Sequence, residues 1–208
     1  MCRHRHRGPP TRPVELKPVV APTPSVDDGL TRCWWCGDDE LYVRYHDLEW
    51  GVPTHDDRAL FELLSLEGAQ AGLSWITVLR RREGYRRAFS KFNPQAVARF
   101  DDARVEAIMG DEGVIRHRQK IVSVITNARA VLDIQREHGS FSSYVWELGT
   151  ADNDEHVSAA DMSKQLRTDG FKFVGPTICL SFMQASGMVN DHVRECFRYE
   201  EIEKCRPR

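Results

Sequence analysis

The sequence lacks the long apolar segments that would place it in a membrane or send it across one. No hydrophobic run among its 208 residues approaches the roughly 20 that a membrane-spanning helix needs. The basic N-terminus is not followed by the apolar core of a secretory signal. We therefore expect a cytoplasmic protein without membrane contact, whose six cysteines are free thiols or metal ligands rather than disulfides.

Paired runs of alternating polar and apolar residues joined by a hairpin turn are also missing, so no β-sheet is expected. From residue 55 onward, cap residues and glycines divide the sequence into helix-length segments. The predicted fold class is all-α. Helix starts are predicted at Asp56–Asp57, Asn93–Pro94, Asp101 or Asp102, Ser158 and Gly175, and helix ends at Gly110, Gly139 and Gly170.

An excess of positive charge is missing too, because the net charge is −2. Affinity for phosphates depends, however, on where cations cluster rather than on their total. One cluster lies between residues 80 and 91 and a second between residues 116 and 120. Each alone is typical of a solvated helix face, but both lie beside the motifs described below and so favour a phosphate-binding surface.

The first 29 residues are rich in proline, arginine and valine and have no amphipathic period. This composition predicts a disordered tail at 1–29 and one domain over 30–208.

Soft metal ligands lie near both ends of that domain. Cys33 and His46 come early, and His192-Val-Arg-Glu-Cys196 comes late. If the late segment is helical, its two ligands share a face, and two thiolates with two imidazoles would suit a tetrahedral zinc ion. The spacing of Cys33 and Cys36 leaves open whether Cys36 replaces His46.

Residues 66–75 combine an apolar helix end, Glu67, two glycines and Trp75. Taken singly, the glutamate suits a helix end and the tryptophan a core. Together they provide what a purine pocket needs, because a carboxylate accepts hydrogen bonds from an exocyclic amine while an indole stacks on the ring. Tyr42, Tyr45 and Trp50 add aromatic surface.

A glycine-containing turn joins two predicted helices between Gly110 and Lys120. Backbone N–H groups in such a turn can bind an anion, and the cations that follow it would add charge contacts. The same sequence also suits an ordinary connection between helices.

Five blocks of the sequence resemble the bacterial DNA-3-methyladenine glycosylase I (TAG) family. They occupy residues 45–53, 66–79, 113–118, 170–175 and 189–193, and the similarity runs from about Cys33 to Cys196. The resemblance implies a helix-hairpin-helix DNA glycosylase fold, with one structural Zn²⁺ per chain joining the two ends of the domain. By position, the implied zinc ligands are Cys33, His46, His192 and Cys196.

The resemblance also assigns expected roles to residues between these ligands. Glu67 matches a residue of the family's base pocket, and we take it as the candidate catalytic residue as well. The implied base pocket contains Tyr45, Trp50, Glu67 and Trp75, and the implied DNA contacts are Gly72, Leu73, Gly113, Arg116 and Arg118.

The implied activity is base-excision repair by a monomeric, monofunctional enzyme. It would flip 3-methyladenine out of alkylated double-stranded DNA and release it by hydrolysis, leaving an abasic site. The main alternative is a non-catalytic, zinc-containing module that only binds lesions. A redox role for Cys33 and Cys36 is weaker, because no βαβ pattern surrounds them.

Overall fold

Helices account for all the regular secondary structure in the part of the chain described by this computed structural model, residues 28–150 and 154–205. Within these ranges no strand occurs and no helix is long and apolar enough to cross a membrane. The all-α prediction is confirmed. Most of the predicted tail, residues 1–27, lies outside the described ranges, so the tail and the domain boundary stay predictions.

The helices are α1 (Glu40–Leu48), α2 (Asp57–Gln70), α3 (Trp75–Leu79), α4 (Arg82–Ala88), α5 (Pro94–Val97), α6 (Asp102–Met109), α7 (Arg118–His138), α8 (Phe141–Gly149), α9 (Glu155–Thr168), α10 (Pro176–Ala185) and α11 (Tyr199–Cys205). Short 3₁₀ turns lie at Trp34–Cys36 and Ser90–Phe92.

Side-chain caps start several of these helices where the sequence predicts. Asp56, Asn93 and Asp101 each accept a hydrogen bond from the backbone N–H three residues further on, at 2.8, 2.9 and 2.9 Å respectively. Each cap satisfies a donor that the first helical turn leaves unpaired. These starts are confirmed.

The start predicted for α9 is wrong. The helix begins at Glu155, and Ser158 lies buried in its interior. Asp154 is the cap, because its carboxylate accepts hydrogen bonds from the N–H groups of His156 and Val157. Asp154 thus starts the helix one turn before Ser158, the residue that the sequence pattern favours as the cap.

Two helices form the centre of the fold. Helix α2 packs against α3, α7, α8 and α10, and α7 packs also against α5 and α6. Their apolar faces bury Leu60, Phe61 and Leu64 from α2, and Ile121 and Val131 from α7. The C-terminus of α2 and the N-terminus of α7 are therefore held by the same core.

The turn between α6 and α7 is packed against α4 through two glycines. A Cβ atom at Gly84 would lie 2.0 Å from the carbonyl oxygen of Gly113. The hydroxyl of Tyr85 accepts a hydrogen bond from the N–H of Ile115 at 3.3 Å. The position of this hairpin thus depends on a backbone approach that only glycine permits.

We predict that Gly84→Ala destabilises the protein by about 1–3 kcal/mol, because the added methyl group would collide with backbone that cannot rotate away. Denaturant unfolding measures the loss. Gly110→Ala is the control, since the nearest atom to its Cβ would be 3.5 Å away. Equal stability of the Gly84→Ala and wild-type proteins would contradict the proposed packing.

Candidate functional site

Four soft ligands from the two ends of the domain meet in the interior. The ligand atoms of Cys33, His46, His192 and Cys196 all lie within 4.8 Å of one another, and all four residues are buried. The hydrogen bond between the two thiols lowers the pKa of Cys196 and raises the pKa of Cys33. This cluster could hold a metal ion.

The late ligand pair is not brought together by a helix, so that prediction is wrong. Residues 192–198 form turns, and α11 begins only at Tyr199. The N–H of Val193 donates to Cys33 Sγ at 3.4 Å, and the N–H of Cys196 donates to the Val193 carbonyl at 2.8 Å. The N–H groups of Val193 and Cys196 therefore do not make helical hydrogen bonds. One binds the Cys33 thiol and the other closes a tight turn.

Each histidine of the cluster is oriented by a second hydrogen bond. Nδ1 of His46 lies 2.7 Å from an Asp47 carboxylate oxygen, and Arg32 donates to the same carboxylate. Nε2 of His192 lies 3.2 Å from the carbonyl oxygen of Trp50. These bonds leave Nε2 of His46 and Nδ1 of His192 facing Cys196 Sγ, each at 3.4 Å.

Cys36, the alternative ligand, is directed elsewhere. Its Sγ lies 3.1 Å from the carbonyl oxygen of Cys33, and it is not a member of the four-residue cluster. The structure thus places His46, rather than Cys36, with the other three ligands.

A cavity of about 190 Å³ adjoins this cluster. It is smaller than the roughly 300–1,000 Å³ of sites for drug-sized ligands, so it suits one small planar group. The four residues predicted for the base pocket all line it, together with further aromatic and polar side chains. The lining residues are Trp35, Tyr42, Tyr45, Trp50, Glu67, Gln70, Trp75, Ser181, Gln184 and Asp191.

Glu67 is the buried carboxyl group of this cavity. It lies in the last turn of α2 with 3% of its surface exposed, and burial raises its pKa to about 8. Within the described residues, its Oε2 has no hydrogen-bond partner, and neither does Nε1 of Trp75. An unpaired acceptor and an unpaired donor in one cavity are typical of a site that a polar ligand completes.

Aromatic rings form the walls and connect them to the ligand cluster. Tyr45 and Trp75 have ring centroids 5.5 Å apart, and Trp35 and Trp50 have theirs 4.7 Å apart. Trp50 also contacts the ring of His192, at 4.6 Å between centroids. The cluster therefore fixes one wall of the cavity through Trp50, which lines the cavity and contacts His192 of the cluster.

Some lining residues have no counterpart among the predicted site residues. Ser181 and Gln184 come from α10, and nothing in their local sequence separates them from other polar residues on a helix. Asp191 and Trp35 lie within two residues of predicted metal ligands. Their closeness in sequence to Cys33 and His192 could have indicated them, because segments that meet at the ligand cluster also lie beside the adjoining cavity.

The predicted DNA contacts lie at two turns near the cavity. Gly72 has a φ of +82° and Leu73 is 42% exposed in the turn that follows α2. Gly113 and Arg116 lie in the α6–α7 hairpin. Arg118, the first residue of α7, forms an ion pair with Glu106 of α6.

We predict that Glu67→Gln stabilises the protein, and increasingly so as the pH rises. A carboxyl group whose pKa rises on folding binds a proton more tightly in the folded state, so its stability contribution is lost as the pH rises from about 4.5 to about 8. The amide does not ionise, and its gain should reach about 2–4 kcal/mol at pH 8 but stay under about 1 kcal/mol at pH 5. Thermal or urea unfolding at both values measures this; a gain independent of pH would contradict the burial of an ionisable group.

Comparisons with known proteins agree with this arrangement. A profile of the family described as "Methyladenine glycosylase" matches residues 35–199. The chain is 48% identical to DNA-3-methyladenine glycosylase 1 of Escherichia coli (strain K12) over 182 residues, which cover 82% of this chain and 97% of that protein.

Solved structures show the same similarity. A crystal structure of 3-methyladenine DNA glycosylase I (TAG) matches with a TM-score of 0.76 and 46% identity, over 80% of this chain and 98% of that one. A tyrosine-to-phenylalanine variant of a TAG protein in complex with 3-methyladenine also matches with a TM-score of 0.76, at 33% identity over 81% and 97% of the two chains. From its sequence, its helical fold and these relatives, the chain belongs to the methyladenine glycosylase family.

Proposed function

We propose that this chain is a monofunctional DNA glycosylase that flips 3-methyladenine out of alkylated duplex DNA and hydrolyses its N-glycosyl bond. The observation that carries the proposal is the buried carboxylate of Glu67, unpaired at Oε2, in a cavity walled by aromatic rings. The related TAG structure in complex with 3-methyladenine supports the choice of base.

Glu67 recognises the methylated base by charge and by hydrogen bonding. The base carries a positive charge while it is attached to the sugar, and a cation beside Glu67 lowers the pKa of that carboxyl from its raised value. The carboxylate then accepts a hydrogen bond from the base, and Tyr45, Trp50 and Trp75 hold the electron-poor ring by stacking and cation–π contact. A neutral base gains none of this charge stabilisation.

The same charge explains why few catalytic groups are needed. A cationic base leaves as a neutral molecule, so bond cleavage needs less help from a general acid than with a neutral base. The enzyme extrudes the nucleotide, at a cost of a few kcal/mol, and holds it in an environment from which bulk water is largely excluded. As the bond breaks, the positive charge passes from the base to the sugar, which water then attacks. Glu67 is the proposed catalytic residue, because its carboxylate lies beside the bound nucleotide and stabilises that charge.

Lys120 supports a hydrolase without lyase activity. A lyase needs a lysine amine that attacks the sugar to form a Schiff base. The Lys120 ammonium is buried and donates to the carbonyl oxygens of Ala69 at 2.9 Å and Ala71 at 2.6 Å. Lys120 thus binds carbonyl oxygens at the C-terminus of α2 and stabilises the turn that carries Leu73.

The two turns near the cavity are the proposed DNA contacts. Leu73, with Gly72 supplying the left-handed backbone, fills the space that the extruded base leaves in the duplex. The hairpin at Gly113 lies against the phosphates, and Arg116 adds positive charge there. Arg118 adds its charge only by exchanging the ion pair with Glu106 for a phosphate. The protein acts on double-stranded DNA as a monomer.

The four-ligand cluster is proposed to hold one structural Zn²⁺. A tetrahedral zinc ion places its sulfur and nitrogen ligands about 3.6 Å apart. The thiol-to-imidazole distances of 3.4 and 3.5 Å fit that spacing. Two thiolates and two imidazoles would hold the ion, which would add folding stability by joining Cys33 and His46 to His192 and Cys196.

We predict that the wild-type protein releases free 3-methyladenine from methylated duplex DNA, and that Glu67→Gln slows single-turnover release by about 100-fold or more. Chromatography of the released bases measures both. The wild-type rate should fall at low pH, as the carboxylate becomes protonated, while the rate of Glu67→Gln should not change with pH.

The control for this assay is Glu147→Gln, an exposed residue of α8. Tight binding of damaged DNA without base release would favour the non-catalytic alternative. Release of 7-methylguanine at a comparable rate would contradict the narrow specificity, and strand cleavage without added base would contradict the monofunctional mechanism.

We predict that the purified protein contains about one zinc ion per chain, that His46→Ala loses it, and that Cys36→Ser retains it. The reason is that His46 Nε2 faces the other ligands whereas Cys36 Sγ faces a carbonyl oxygen. Elemental analysis after dialysis against a chelator measures the metal. Zinc retained by His46→Ala, or lost from Cys36→Ser, would contradict this assignment of the ligands.

A further inference from the structure

A second groove lies between the turn after α2 and the α6–α7 hairpin. Its volume is about 510 Å³ and it is separate in its lining from the base cavity. It joins the exposed Leu73 on one side to the hairpin on the other. The lining residues are Leu73, Thr77, Arg81, Glu112, Val114, Ile115 and Arg116.

Most neighbours of Arg81 in the first cation cluster are neutralised by carboxylates. Arg80 pairs with Asp39 at 2.5 Å, and Arg82 and Arg86 each pair with Glu62 at 2.8 Å. These arginines hold helices together, and their charge is no longer available to a ligand. The cluster is therefore a much weaker phosphate surface than the sequence suggests.

Arg81 differs from these neighbours, because it forms no ion pair with any carboxylate in the described part of the chain. Its Nη1 donates to the carbonyl oxygen of Thr77 at 3.1 Å, which fixes the half-buried side chain against the end of α3. A guanidinium group has five N–H donors, so most of them remain for another acceptor. The acceptor must approach from the groove that Arg81 lines.

The charges around this groove favour an anion. Arg116 lines it without an ion pair among the described residues, and Glu112 is the one carboxylate in the lining. The glutamate is exposed on the hairpin. Two guanidinium groups against one carboxylate leave a positive groove, directly beside the Leu73 side chain.

We propose that Arg81 binds a backbone phosphate of DNA within a nucleotide or two of the extruded base, a role that rests on the proposed glycosylase function. Leu73 fixes the distance along the duplex, because it shares the groove with Arg81 and occupies the gap beside the extruded nucleotide. Arg81 and Arg116 then grip the strand from the two sides of the groove. Arg81 is thereby a DNA-binding residue outside the base cavity.

The first test measures binding of Arg81→Gln to a duplex that contains one tetrahydrofuran abasic analogue. We expect about 10-fold weaker binding near 0.1 M salt and a salt slope reduced by about 1, as for the loss of one phosphate contact. Arg80→Gln is the matched control, because the ion pair with Asp39 already neutralises its charge. Glu112→Gln should bind more tightly, since it removes the opposing charge.

Kinetics separate this role from a structural or catalytic one. Arg81→Gln should release 3-methyladenine at the wild-type rate once DNA is saturating, while the DNA concentration for half-maximal rate rises about 10-fold. Its melting temperature should match the wild type. An equal loss in Arg80→Gln, or a lower rate at saturation, would overturn the assignment.

A second test identifies the phosphate. Single phosphates near the abasic analogue are replaced, one per duplex, by uncharged methylphosphonates. The affinity of each duplex is then measured for the wild type and for Arg81→Gln. At the contacted phosphate, the methylphosphonate should weaken binding by the wild type. It should not weaken binding by Arg81→Gln any further, because that variant already lacks the contact. Additive losses at every position would refute a direct contact. If the wild type neither binds this DNA nor releases the base, the proposed function itself fails.

Discussion

The meeting of four buried ligands from the two ends of the domain is the constraint on which the cavity depends. Cys33 and His46 lie about 150 residues before their partners in the sequence. The bond from His192 to the Trp50 carbonyl carries this constraint into the aromatic wall. Loss of the cluster would free Trp35, Trp50 and Tyr45 together, since their rings pack on one another. The four-residue cluster can thus determine the shape of the cavity without lining it.

Glu67 shows how the fold tolerates a buried carboxyl group that has an unpaired oxygen. Desolvation disfavours its ionised form, and the raised pKa records that cost. The apolar core of α2 holds the backbone on one side, and the Lys120 ammonium binds the carbonyl oxygens just beyond it on the other. The carboxylate is therefore buried on a rigid helix end rather than on a mobile loop. Such rigidity keeps the unpaired oxygen directed into the cavity before any ligand arrives.

The helices could be predicted wherever a local signal sets them. Asp56 and Asn93 cap their own helices within three residues, so the sequence contains the whole interaction. The start of α9 was missed because two caps compete within one turn, and only the packing of Ser158 into the core decides between them. For the ligand cluster, the sequence suggested the four residues but not the turns that bring His192 and Cys196 together, because those turns depend on the thiol of Cys33. Ser181 and Gln184 could not be foreseen, since they join the cavity only through the tertiary packing of α10.

Charge is the property that the sequence describes least well, because the formal charge of a residue says nothing about its partner. The cations of residues 80–91 look alike in the sequence, yet Arg82 and Arg86 share Glu62 in the folded protein whereas Arg81 faces a groove. A shared carboxylate converts a cation from a surface charge into a link between helices. Arg81 and Arg116 form a small positive region beside Leu73, within a chain whose net charge is −2. In the proposed DNA complex, a weakly acidic protein with a local positive groove would favour a duplex that is already distorted, because only there would Leu73 and the arginines contact it together.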